Sequence, residues 1–286
     1  MLKNGDKIGI VCCSNGQISS YKPKIDMLCE TLKTIGLIPI CSNYIFEKSS
    51  AFSGTGEERG NALMSFYKDD TIKAIFDISG GDLANEVLDY IDFETIKNNP
   101  KPFFGYSDLT TIINAIYAKT HVPSYLYQIR NLIYNYKDIQ ISDFTNSILH
   151  GKKDLFNIEY KFFQGEKIHG TLIGGNIRCF LKLSGTPYMP SFKDKILFLE
   201  SLGGEAPLIL SYLTQLKHLG AFNEVSGILL GTFTKLEENP YGPSIHDLIK
   251  KVVNNPLLPI AKTPNIGHGN DSKCLIIGKE IHLSSI

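Results

Sequence analysis

No charge of either sign dominates this chain. Lys plus Arg number 29 and Asp plus Glu number 29, so the net charge at pH 7 is zero, and no basic run stands out. A phosphate backbone needs a clustered cationic face, so nucleic acid is not an expected partner. Long apolar runs are absent as well. Near the amino terminus only Ile8 to Cys13 is apolar, broken by Gly9 and preceded by Gly5, Asp6 and Lys7. That is too short for a signal peptide or a membrane span, and the expectation is a cytoplasmic protein. The six cysteines (Cys12, Cys13, Cys29, Cys41, Cys179, Cys274) lack C-x-x-C spacing. They read as buried thiols rather than metal ligands, and no metal is expected. Low-complexity tracts are missing too. With 43% hydrophobic and 20% charged residues, the 286 residues should be globular nearly throughout, as one large α/β unit or two domains.

What is present is alternation. Lys7 to Cys13 reads as a buried strand, Tyr21 to Ile35 as a helix, Leu37 to Ile40 as a second strand and Glu57 to Tyr67 as a helix. Ile72 to Ile78, a helix over Leu83 to Ile91, Phe103 to Tyr106 and a helix over Leu109 to Ala118 continue the pattern. Strands alternating with helices imply a parallel sheet covered on both faces, with ligands beyond the strands' carboxyl ends. The loops after Cys13, Ile78 and Tyr106 are therefore the places to expect chemistry. The pattern loosens between about Tyr134 and Gly170, with a helix over Ser142 to Leu149 and a strand-like Phe156 to Phe163. The expected division is an amino-terminal domain over 1–135, a connection over 136–168 and a second α/β domain over 169–286. The second domain's elements are a strand ending at Ile173, a helix from Asn176 to Leu183, strand Lys195 to Leu199, helix Ala206 to Leu219, strand Gly227 to Leu230 and helix Ile245 to Val253. Short β segments at Leu258 to Ala261, Cys274 to Ile277 and Ile281 to Leu283 close it.

Ser107 sits in Gly105-Tyr106-Ser107-Asp108, where a strand turns into a helix. Such a turn projects a hydroxyl and aims helix-terminal amides at whatever it attacks. The G-x-S-x-G of the α/β-hydrolases is not complete, because Leu109 holds the last position, and Ser before an acidic residue is also an ordinary helix cap. A nucleophilic serine needs a base, and histidine is the usual one. Of seven histidines, His268 stands out because Gly267 and Gly269 flank it, although a histidine in a glycine loop can equally be structural. Glu200 ends the apolar run Ile196-Leu197-Phe198-Leu199. A carboxylate there needs a partner such as imidazole unless it is solvated. Ile78-Ser79-Gly80-Gly81-Asp82 lacks the third glycine of a dinucleotide fingerprint. Its bare amides suit an oxyanion hole or a plain turn. Gly174-Gly175-Asn176 offers the same two readings, and the structural one is preferred.

In order along nearly the whole chain, the Gly5-Asp6-Lys7-Ile8-Gly9-Ile10 opening, Gly80-Gly81, Gly105-Tyr106-Ser107-Asp108-Leu109-Thr110, Gly174-Gly175-Asn176, Ile196 to Glu200, Gly227 to Gly231 and Gly267-His268 resemble the serine-type L,D-carboxypeptidases. That family includes muramoyltetrapeptide carboxypeptidases and the microcin C self-immunity peptidases. The resemblance implies a flavodoxin-like α/β amino-terminal domain with a parallel sheet, and a swivelling β/β/α carboxy-terminal domain. It implies a Ser-Glu-His triad at Ser107, Glu200 and His268, oxyanion amides at Gly81 and Asp108, and substrate contacts at Gly80, Asp82 and Asn85. It also implies a homodimer that uses no cofactor. The loop Ser79-Gly80-Gly81-Asp82-Leu83-Ala84-Asn85-Glu86 departs from the Arg-Gly-Gly-Tyr-Gly of the murein enzymes and lies closer to the microcin-immunity branch. Tyr125-Leu126-Tyr127-Gln128-Ile129-Arg130 replaces a Tyr-Gly-Pro common in relatives. The expected function is hydrolysis of an amide near the carboxyl terminus of a small peptide or peptidyl nucleotide. The alternative is a non-catalytic binding protein on the same fold.

Overall fold

The computed structural model describes residues 2–285. Apolar runs such as Ile8-Gly9-Ile10-Val11 have no polar face to turn to water, so they form central strands covered on both sides. The first sheet comprises β1 (Lys7–Val11), β2 (Ile38–Cys41), β3 (Ile72–Asp77), β4 (Phe103–Gly105) and β5 (Ser124–Leu126), all parallel, in the order β2-β1-β3-β4-β5. This is the flavodoxin-like doubly wound order. The second sheet contains β6 (Lys161–Gln164), β7 (Lys167–Asn176), β8 (Lys195–Ser201), β9 (Gly227–Phe233) and β10 (Ile260–Lys262). Its centre, β7 to β10, is parallel, while β6 at one edge and β12 (Glu280–Ser284) at the other run antiparallel.

One strand crosses between the units. β11 (Leu275–Ile277), counted with the second unit from sequence, pairs antiparallel with β5 and forms the edge of the first sheet. The helix Lys137–Ile148, in the expected connection, also belongs to the first unit's core through Phe144 and Ile148. Between the sheets lies the helix Thr110–Thr120, whose residues from Thr110 to Tyr117 are all buried. Its polar residues Thr110, Thr111 and Asn114 are each hydrogen-bonded, so the helix can be enclosed on every side. Ile112 and Ile116 pack in one cluster with Leu172, Ile196 and Leu229 of the second sheet. Each such isoleucine contributes roughly 1.5–3 kcal/mol by leaving water.

Two local expectations change. Leu83 to Ile91 is not an α-helix but a 3-10 turn over Ala84–Tyr90. The Leu83 carbonyl is shared by the Glu86 amide at 3.2 Å and by the Arg59 guanidinium at 3.3 Å, so the wider helical ladder does not start there. The cysteines are not all buried either. Cys29 is half-buried and Cys41 exposed, and their sulfurs lie 3.7 Å apart across the helix Lys22–Ile35 and β2.

Candidate active site

Ser107 follows β4 with φ at +58°, a region that costs energy for any residue with a side chain. The turn is tight enough that a Cβ on Gly105 would lie 2.7 Å from the Leu109 Cβ, so glycine is needed two residues before the serine. The short 3-10 turn Ser107–Leu109 leads into the helix Thr110–Thr120. The hydroxyl is thus raised at the carboxyl end of the first sheet.

His268 reaches it from the other unit. Its loop joins β10 to β11, and its Nε2 lies 3.1 Å from the Ser107 Oγ. Nδ1 lies 2.7 Å from the Glu200 Oε2, near the end of β8. Glu200 is fully buried, and its second oxygen accepts from the Asn176 Nδ2 at 3.0 Å. Asn176 and Glu200 are register partners on β7 and β8, which puts the amide beside the carboxylate. Because each carboxylate oxygen has a donor, the charge is held in place rather than exposed. The Tyr106 ring meets the imidazole edge-on at 5.1 Å. Burial, together with the Glu200 charge, pushes the Tyr106 phenol well above its ordinary pKa. Gly267 is required because a Cβ there would lie 1.7 Å from the Thr232 Oγ1. Hydroxyl, imidazole and carboxylate therefore form one hydrogen-bonded line.

The loop after β3 faces the serine. A Cβ on Gly80 would come 3.9 Å from the Ser107 Cβ. Gly81 has φ at +122°, and a Cβ there would strike Asn15 at 2.2 Å. Among the described residues the Gly81 amide donates to no protein group. The Asp108 amide lies in the first turn of its helix, where amides have no intrahelical acceptor. Two bare amides beside a hydroxyl are what a developing oxyanion needs. Asp108 also holds the loop through its buried carboxylate, which accepts from the Ser14 Oγ at 2.6 Å, the Ala84 amide at 2.9 Å and the Lys182 Nζ at 2.5 Å. Arg178 grips the same loop from the second unit, donating to the Gly81 carbonyl at 2.8 Å and pairing with Asp82.

A cavity of about 270 Å³ opens over these groups, lined in part by Gly80, Gly81, Tyr106, Ser107, Gln128 and His268. The structure thus brings together Ser107, Glu200, His268, Gly80, Gly81 and Asp108. It sets Asp82 and Asn85, the other two expected substrate contacts, outside the cavity lining. Asp82 is turned to Arg178, and Asn85 is exposed on its 3-10 turn. Asn176, Arg178, Lys182 and Arg130 were not singled out from sequence as site residues. For Asn176 a signal existed, since it closes the Gly174-Gly175-Asn176 motif. For the cations there was none, because their partners are remote in the chain.

No helix among the described residues is long and apolar enough to cross a membrane. Against known proteins, residues 8–127 match the LD-carboxypeptidase N-terminal domain and residues 169–283 the LD-carboxypeptidase C-terminal domain. The chain is 29% identical to the putative carboxypeptidase YocD of Bacillus subtilis, covering 100% of this chain and 95% of that one. It is 26% identical to a probable murein peptide carboxypeptidase of the same organism, over 99% and 90% of the two chains. In fold it is similar to the microcin C7 self-immunity protein MccF in complex with aspartyl sulfamoyl adenosine, with a TM-score of 0.87, 22% identity and coverage of 100% and 97%. Since the two matched domains together span most of the sequence, the chain belongs to the LD-carboxypeptidase family, whose members are serine-type peptidases.

Proposed function

We propose that Ser107, His268 and Glu200 act as nucleophile, general base and orienting acid in hydrolysis of an amide near the carboxyl terminus of a small peptide. The observation that carries this reading is the pair of distances about one imidazole, 2.7 Å to Glu200 and 3.1 Å to Ser107. His268 Nε2 takes the Ser107 proton as Oγ attacks the carbonyl carbon, and the Gly81 and Asp108 amides hold the oxyanion. The C–N bond then breaks as the imidazolium protonates the leaving amine. Water, deprotonated by the same imidazole, releases the acyl group and restores the serine. Glu200 keeps the Nδ1 proton in place and stabilises the imidazolium.

Two substrate classes follow from the relatives: a murein peptide and an aminoacyl sulfamoyl nucleoside of the kind in the MccF complex. We propose that the enzyme is a homodimer, which light scattering on the purified protein tests, and that it is cytoplasmic, which cell fractionation tests. The deciding experiment is mass spectrometry of the protein incubated with a murein tetrapeptide and, separately, with aspartyl sulfamoyl adenosine, alongside Ser107→Ala. Cleavage of either by wild type alone supports the reading. A Ser107→Ala protein that cleaves at the wild-type rate ends it.

A further inference from the structure

Arg130 is the only Lys, Arg, Asp or Glu among the residues lining the cavity over Ser107. It lies in the 3-10 turn Ile129–Ile133, just after β5, and so enters from the carboxyl end of the same sheet. Its Nη1 donates to the Gln17 Oε1 at 3.2 Å, and Gln17 is itself buried and neutral. Gln17 is fixed in turn by donating to the Ile78 carbonyl at 3.1 Å, so the guanidinium is held from below. The opposite edge is different. Among the described residues the Arg130 hydrogen bonds go to Gln17 and Gln128 and none to a carboxylate, and its Nε is buried without any hydrogen-bond partner. A buried donor on a permanently charged group is costly unless something accepts from it. The Nε and Nη2 hydrogens of a guanidinium point the same way and match the two oxygens of a carboxylate.

A carboxypeptidase acts on a bond whose leaving residue carries the chain's terminal carboxylate, three bonds beyond the scissile carbonyl carbon. We infer that Arg130 is the specificity residue whose guanidinium receives this terminal carboxylate, and so selects peptides with a free carboxyl end over their amides. The inference rests on the reading of Ser107 as the nucleophile of this cavity. It also favours a peptide acid over an aminoacyl sulfamoyl nucleoside, which presents no carboxylate at that position.

The test uses the full-length enzyme, a fluorophosphonate probe and two ligands, the murein tetrapeptide with a free carboxyl terminus and the same peptide as its terminal carboxamide. Probe labelling reports on Ser107 by itself; a wild-type protein that is not labelled sinks the nucleophile reading. In labelled wild type, the acid should slow labelling at concentrations roughly 10- to 100-fold lower than the amide, the range set by charge-assisted hydrogen bonds. Where the peptides are turned over, the preference should appear in KM rather than kcat. Arg130→Gln should lose the preference and Arg130→Lys should recover part of it, with thermal melts checking that each variant folds. Equal behaviour of acid and amide in wild type, including no protection by either, overturns the inference, as does an Arg130→Gln protein that keeps the preference.

Discussion

Thr110 fills the space above Gly175. A Cβ on that glycine, which has φ at +144°, would come within 2.5 Å of the Thr110 Oγ1. The contact ties the nucleophile's helix to the second sheet. Thr110 accepts from the Asn176 amide at 3.0 Å, and Asn114, one turn on, exchanges two hydrogen bonds with Gly174, at 2.8 and 2.9 Å. Ser107 and Glu200 therefore stand in fixed relation through a helix and two glycines.

Gly175→Ala should destabilise the protein by about 1–3 kcal/mol, because a methyl group must displace a bonded threonine in an overpacked position. Thermal unfolding measures this. Activity should fall further than the loss of folded protein explains, since the shift moves Ser107 relative to His268.

The backbone at Ser107 stores strain that only a residue without a side chain avoids. Ser107→Gly and Ser107→Ala should both be inactive, yet the glycine variant should be more stable than the alanine variant by about 1 kcal/mol. Chemical denaturation of the pair compares them directly. Equal stability would mean that the turn costs nothing.

Glu200→Gln keeps the size of the side chain but reverses its proton. With its oxygen accepting from Asn176, its amide nitrogen would donate to the His268 Nδ1, placing the ring proton on Nε2 and facing Ser107. Turnover should fall about 10³–10⁴-fold with the melting temperature little changed. The rate of fluorophosphonate labelling should drop in parallel.

Arg178→Ala removes the grip on the Gly81 carbonyl and the pair with Asp82. That pair is largely exposed, so its direct worth to stability is small. The effect should fall on kcat, by roughly tenfold, through a loosened oxyanion amide. Steady-state kinetics beside a melting curve separates the two effects.

The hydrogen bond from Cys41 lowers the Cys29 thiol to about 7. A thiolate forms above its pKa, so alkylation of Cys29 by iodoacetamide should rise through about pH 7. In Cys41→Ala the rise should move toward the ordinary thiol range near 8.5. Peptide mapping by mass spectrometry follows each site.

The strands, most helices and the three residues of the hydrogen-bonded line were legible in the chain. Each left a local mark: an apolar run with both faces buried, a serine two residues after a glycine at a strand end, a histidine between glycines, and a carboxylate closing a core strand. Gly174-Gly175 was legible as structure, although not as the seat of Thr110. Cys29 and Cys41 were misread as buried because exposure depends on what covers an edge, which local composition does not reveal.

Local pattern thus determined most of the elements and the side chains that end them, because hydrogen bonding and burial within a few residues largely decide that. Tertiary structure alone decided the rest. It sent Leu275–Ile277 to the first sheet, where the free edge of β5 needed a partner. It turned Asp82 away from the cavity toward Arg178, and it left the Nε of Arg130, a residue of the cavity lining, buried without a partner. Those outcomes depend on groups some 70 to 160 positions apart in the chain coming within a few ångströms, as His268 does with Glu200 and Ser107. No stretch of neighbouring residues encodes such a meeting.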